Sequence, residues 1–268
     1  MNKRTYMPFV ALAMGLALAC SPEPLDESNP DPVTANTPDT SPEDTEEPAP
    51  DPEGEAPDTG TDTCSPSSFV FEEEEGVILA EMENGVFTDA WQKGAAQPDA
   101  LGEGYLVWTG NQYLNAPGQG LIAFKLDIRR TGTYVFSWRS AVTLGNNGTE
   151  HNDTWLRFPD AAEFYGERNT GVVYPKGSGK SPNPNGSSAE GWFKIYRSGS
   201  DLGFKWQAYT SDHDPHLIYV RFDTPGTYTM EVSARSTGHA IDRFALVHTD
   251  ADFDSAIAGE PTPVRCGE

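Results

Sequence analysis

Positive charge is what this 268-residue chain has least of, with 18 lysines and arginines against 41 aspartates and glutamates. Nowhere are the bases gathered into a stripe, which excludes nucleic acid and anionic lipid headgroups as electrostatic partners. A sustained apolar period of 3.6 residues is also missing, so helices are not expected to build the core. No apolar run is long enough to be a comfortable membrane span. The longest, FVALAMGLALA at residues 9–19, follows a basic start at Lys3 and Arg4 and reads as a secretory signal over residues 1–19. Cysteine is limited to three positions, 20, 64 and 266.

From residue 21 to residue 63 bases and aromatic rings vanish altogether, while fourteen acids and ten prolines accumulate. Such a composition buries too little apolar surface to offset the entropy of ordering, so residues 20–63 are expected to form an extended, self-repelling tether. The remainder, residues 64–268, keeps 27 acids and 16 bases and is still acidic. Its length suits one undivided domain.

Within that domain apolar and polar residues alternate with period two. IAFKLDI sets Ile122, Phe124, Leu126 and Ile128 against Ala123, Lys125 and Asp127, and TYTMEVSAR repeats the pattern from Tyr228 to Arg235. Around ten short strands separated by turn signals such as RRTGT and DTPGT predict an all-β fold, a single β-sandwich with a jelly roll as first choice. A long irregular loop is expected from about Gly166 to Gly191. Near the start, LAEMENG places Glu81 and Glu83 two apart on what reads as one strand face. Neighbouring carboxylates repel unless they are solvated, share a proton or hold a cation.

The stretch LALAC resembles the lipobox of bacterial lipoproteins, which implies acylation of Cys20, and Ser21 after it implies the outer membrane. Cys64 and Cys266 then remain in an oxidising compartment, as a bridge stapling the domain's ends, as free thiols, or as an intermolecular link.

LAEMENG, GEGYLVWTG, TGTYVFSWRSA, PGTYTMEVSAR and GHAIDRFALVH follow the order seen in β-sandwich carbohydrate-binding modules similar to families 6 and 35. The resemblance covers about residues 69–249. It implies a non-catalytic binder of oligo- or polysaccharide, with a structural calcium ion on Glu81, Glu83 and Asp242. It also implies a sugar site in loops at one end of the sandwich. There Trp108 and Trp206 match the stacking rings and His239 stands where the family often has Asn. Sugars need such a combination of a flat ring and a few polar groups. Arg139 and Asn152 join these as candidate contacts. GTEHNDTWLRF puts Glu150, His151, Asn152 and Asp153 in a polar cluster, a charged pocket or second metal site beside Arg139. Competing readings are a jelly-roll hydrolase or lyase, whose acid and base would come from Glu150 and Asp153, and a protein-binding adhesion module. DHDPH at 212–216 is a weak zinc signature. The expected state is a monomer.

Overall fold

The computed structural model describes residues 64–267 apart from Asp89 and Thr170. The signal segment, Cys20 and the acidic tether lie outside the described residues. In chain order the strands are β1 (Phe69–Glu72), β2 (Val77–Glu81), β3 (Trp91–Gly94), β4 (Tyr105–Trp108), β5 (Ile122–Ile128), β6 (Gly132–Val142), β7 (Asp153–Arg157), β8 (Glu163–Arg168) and β9 (Gly171–Val173). They continue with β10 (Ser187–Ser188), β11 (Trp192–Tyr196), β12 (Lys205–Trp206), β13 (Tyr209–Thr210), β14 (His216–Phe222), β15 (Gly226–Ser233), β16 (His239–His248) and β17 (Val264–Cys266). One short helix, α1, spans Phe253–Ile257.

Two layers emerge from the pairing. One runs β17-β1-β5-β15-β7-β11-β10 and the other β9-β8-β14-β6-β16, with β16 continuing onto β2 at one half and onto β4 and then β3 at the other. β13 pairs with β11 of the first layer and with β14 of the second, so the hydrogen-bonded ladder curls over at that edge. Every pairing is antiparallel except β1 with β5. The fold is an all-β sandwich, as the alternation predicts.

The core sits where that alternation places it. Ile122, Phe124, Leu126 and Ile128 of β5 face inward with Met230 and Val232 of β15, and Phe71, Phe124 and Phe244 meet edge to face at 4.9–6.0 Å. Trp91, Trp138, Trp155 and Trp192 are all buried. β2 departs from the pattern. Ile78 and Ala80 join the main core, but Leu79 on the other face is buried too, against Ala245 and Val247. That face is roofed by Phe253, Ala256 and Ile257 of α1, and Thr262 bonds the Leu79 backbone in both directions. A cover contributed from about 180 residues away cannot be read from the strand's own period.

Cys64 and Cys266 are bridged, closing a span of 202 residues. The bridge lies where β1 and β17 pair, Phe69 opposite Cys266. The staple expected between the domain's ends is therefore present.

Candidate functional site

The acid pair in LAEMENG does not share a strand face. β2 ends at Glu81, and Met82–Asn84 turn into a 3₁₀ helix that carries Glu83 round the corner. Asp242 sits at the irregular step of the β16–β6 ladder between Ile241 and Arg243, fully buried. Arg243 lies opposite Glu81 in the β2–β16 ladder, and its Nη2 reaches Glu81 Oε1 at 2.5 Å. Asp242 Oδ2 accepts from Arg139 and from the Leu101 N–H at 3.2 Å. Gly102, at φ +57°, lets the loop pass this corner, since a Cβ there would stand 2.6 Å from Glu81 Oε1.

Those partners satisfy two of the six carboxylate oxygens at the corner. Glu81 Oε2, both oxygens of Glu83 and Asp242 Oδ1 are buried with no hydrogen-bond partner. Four stranded acceptors are costly to hold in a folded protein. Burial is the main force lifting the Glu83 carboxyl to about 7, with the charges of Glu81 and Asp242 adding to it and Lys93 opposing it. Burial also raises Asp242, against the pull of Leu101 and Arg139. The donor set, hard carboxylate oxygens left unspent, fits a calcium ion. Among the described residues, however, no three His, Cys, Asp or Glu side chains already stand in an arrangement that holds a metal.

The two tryptophans expected to stack on a ligand are not available for it. Trp108 is buried, packs edge-on to Trp91 at 5.5 Å, and donates its indole N–H to Asn111 O at 2.7 Å. The loop after it folds back over the ring, with Gly120 so near that a Cβ would come within 2.6 Å. Trp206 is half-buried on the outer face of β12, packed beside Leu79 and Val247 rather than in the loops. His239 is fully sealed, with Nδ1 2.8 Å from Thr154 Oγ1 and its ring edge-on to Trp138. Arg139 is spent on Asp242 and on the Phe204 ring, 4.9 Å away, and not on the polar cluster it was expected to join. These four leave the site in the loops to other residues.

Asn152 does line the loop end, where the segments after β4, β6, β13 and β15 gather. Two confluent hollows of about 340 and 330 Å³ open there and share Thr149, Asn152, Asp153 and Lys194. Gln112, Leu114, Glu150 and His151 extend the first; Tyr196, Asp212 and His213 extend the second. Several of the polar groups are held by others, while His151 Nδ1 is buried with no hydrogen-bond partner among the described residues. Asn152 Nδ2 donates to Arg197 O at 2.6 Å, and Asp153 takes both Arg235 and the Ser236 hydroxyl. Arg235 lies over the Trp155 ring at 5.1 Å, and Lys194 pairs with Asp212 above the Tyr196 ring. Three non-glycine residues around the hollows, His151, Ser211 and His213, hold left-handed backbone at φ 55°, 68° and 63°. Strain of that kind persists only where surrounding structure imposes it, and it gathers at binding sites.

The sequence pattern points to Glu150 through Asp153 but passes over Lys194, Arg235 and the half-buried Tyr113, whose neighbours Gln112 and Leu114 line the first hollow. DHDPH, read as a weak zinc signal, supplies Asp212 and His213 to the second hollow instead. Lys194 and Arg235 sit in alternating strand phrases and carry no local signal.

No protein-family model matches this sequence, and no curated relative matches it. Among solved structures the domain is similar to the GH26-CBM35 β-(1,4)-mannanase of Podospora anserina, 14% identical over 67% of this chain and 29% of that one, with a TM-score of 0.38. It is similar also to the carbohydrate-binding module CBM6cm-2 of Cellvibrio mixtus lichenase 5A, solved with cellotriose, at 12% identity, 65% and 96% coverage and a TM-score of 0.31. A CBM35 from Paenibacillus barcinonensis aligns at 16% identity over 64% and 98%, with a TM-score of 0.30. The chain spans about three tenths of the mannanase's length. At such identities and scores these are likenesses of fold, and no ligand passes across them.

Proposed function

We propose that the domain is a non-catalytic carbohydrate-binding module whose saccharide site is the paired loop-end hollow. One observation carries this reading: the hollows are walled by an amide, two carboxylates and an ammonium group fixed by internal partners, those of Asn152, Asp153, Asp212 and Lys194, with Gln112, Glu150 and His213 exposed among them. Saccharide hydroxyls both donate and accept, and they suit such a preorganised mixed rim. A hydrolase needs an acid and a base free to exchange protons; of the pair read for that role Asp153 is tied to Arg235 and Ser236, which leaves Glu150 without its counterpart.

Calcium on Glu81, Glu83 and Asp242 belongs to the same proposal as a structural ion tying β2 to β16, supported by the four stranded oxygens. Export, acylation at Cys20 and an outer-membrane address rest on the sequence alone, and they would present the site to envelope or extracellular glycans.

Glycan-array screening followed by calorimetry on the purified protein tests the site. Gln112→Ala combined with His213→Ala, both exposed positions, should weaken binding by tenfold or more, about 1.4 kcal/mol, while Trp206→Ala leaves affinity unchanged. An unaltered affinity in the double variant would reject the loop-end site. For the ion, chelator should lower the melting temperature and added calcium restore it; identical melting curves would remove calcium from the proposal. A protein partner is the second reading, favoured by Val86, Phe87, Leu114, Leu121 and Leu144, exposed apolar side chains in loops, of which Leu114 lines the first hollow.

A further inference from the structure

The long segment after β9 is held in shape by its own hydrogen bonds and tied to the sandwich by Lys180 on Glu163 and Glu190 O on Arg157. Asn183 Nδ2 donates to the carbonyls of Tyr174 and Lys180, both at 2.9 Å, and reaches that of Pro175 at 3.4 Å. Tyr174 N–H donates to Pro182 O at 2.9 Å, and Gly191 N–H to Lys176 O at 2.8 Å. A loop tied so often is a fixed wall. It stands opposite the β7–β8 turn, and between the two lies a cavity of about 390 Å³. β7 enters the loop-end hollow with Asp153 and leaves it with Arg157, so this cavity lies at the far end of that strand.

The cavity is apolar below and polar at its rim. Phe158, Phe164 and Pro175 are buried in its lining, and Tyr174 stands half-buried at the side. Arg157 is fixed at one edge by Glu231, by the Glu190 carbonyl at 3.1 Å and by the Trp192 ring 4.5 Å away, and its Nη2 makes no hydrogen bond among the described residues. Lys180 and Glu163 pair at the other edge, with Arg221 sharing the carboxylate at 3.1 Å. Every charge at the rim thus has an opposite beside it. A free anion or cation gains little from such an edge, whereas a neutral ligand with one flat C–H face and several hydroxyls fits both the floor and the rim.

We infer that this cavity is a second saccharide site, for one or two neutral sugar residues, which makes the domain bivalent with its binding points at opposite ends. The inference rests on the carbohydrate reading above but not on the location of the first site. Bivalency of this kind raises avidity on a polymer without new contacts, and it allows two chains of glycan to be bridged.

Calorimetric titration of the full chain with cellotriose, mannotriose and galactotriose tests it, with trigalacturonate as the charged control. The expected stoichiometry is two for at least one neutral trisaccharide. It should fall to one in Ala162→Trp, which places bulk at an exposed lining position, and equally in Tyr174→Ala, a smaller change should the first variant fold poorly. Gln112→Ala with His213→Ala should remove the other equivalent. A single equivalent lost in that double variant and untouched by Ala162→Trp overturns the second site and leaves the proposed function standing. A single equivalent lost only in Ala162→Trp and Tyr174→Ala upholds this cavity and displaces the loop-end site. Binding of trigalacturonate alone, or of none of the four, overturns the inference.

Discussion

His239 shows how one side chain's surroundings set its chemistry. The ring is sealed in the core, with only Thr154 within hydrogen-bonding reach, and Nε2 is left without a partner. Burial, reinforced by the nearby charge of Arg197, lowers its pKa from 6.5 to about 3. The unfolded chain therefore takes up a proton that the folded one refuses. Stability is whole above pH 6.5 and drains as the pH falls toward 3, by up to about 1.4 kcal/mol per unit. Denaturant midpoints measured from pH 7 to pH 4 should fall less steeply in His239→Gln, which cannot charge; an identical slope would show that this histidine is not what couples stability to pH. Gly102 yields a second expectation at the same scale. A methyl there meets Glu81 and forces a left-handed backbone, so Gly102→Ala should cost about 1 kcal/mol or more in chemical denaturation. The loss should be smaller in a Glu81→Ala background, where the colliding carboxylate is gone.

Among the elements, β17 depends most on a covalent link. It is three residues long, with Val264 and Arg265 exposed, and its strand partner is β1. Loop-closure entropy over the 202-residue span puts the bridge's contribution at up to about 5 kcal/mol, if the reduced chain is otherwise unrestrained. Paired Cys64→Ser and Cys266→Ser substitutions should lower the melting temperature and raise hydrogen exchange in β1 and β17 before β6 or β16. Uniform exchange throughout the sandwich would contradict that order. The 3₁₀ turn at Met82–Asn84 is the other instructive element. Alternation carried to Glu83 predicts a longer strand, and it places Met82 rightly in the core with Ile78 and Ala80, but the chain turns after Glu81 and carries Glu83 off the strand.

At the scale of the molecule, the two layers enclose one large apolar cluster that receives side chains from both. Because β13 joins the layers and both send their apolar side chains into one cluster, neither layer has a core without the other. Calorimetry should show a single unfolding transition for the described domain with equal van't Hoff and calorimetric enthalpies; two resolved transitions would mean that the layers fold separately.

Local alternation and composition were enough to establish, from the order of residues alone, an all-β sandwich and its inward side chains in β5 and β15, while the compartment left a bridge between its ends as one of three states for Cys64 and Cys266, the one the folded chain takes. Alternation also brought Glu81 and Glu83 to attention, the resemblance added Asp242, and the fold brings the three to one corner. Only the folded arrangement settled which rings and charges meet solvent. Trp108 disappears beneath the loop carrying Gly120, His239 behind Thr154 and Trp138, and Arg139 onto Asp242, while Lys194 and Arg235 arrive at the loop end from strands whose period says nothing of it. The physical reason is the same in each case. Alternation states which face of its own strand a side chain occupies, but burial depends on what another part of the chain lays over that face.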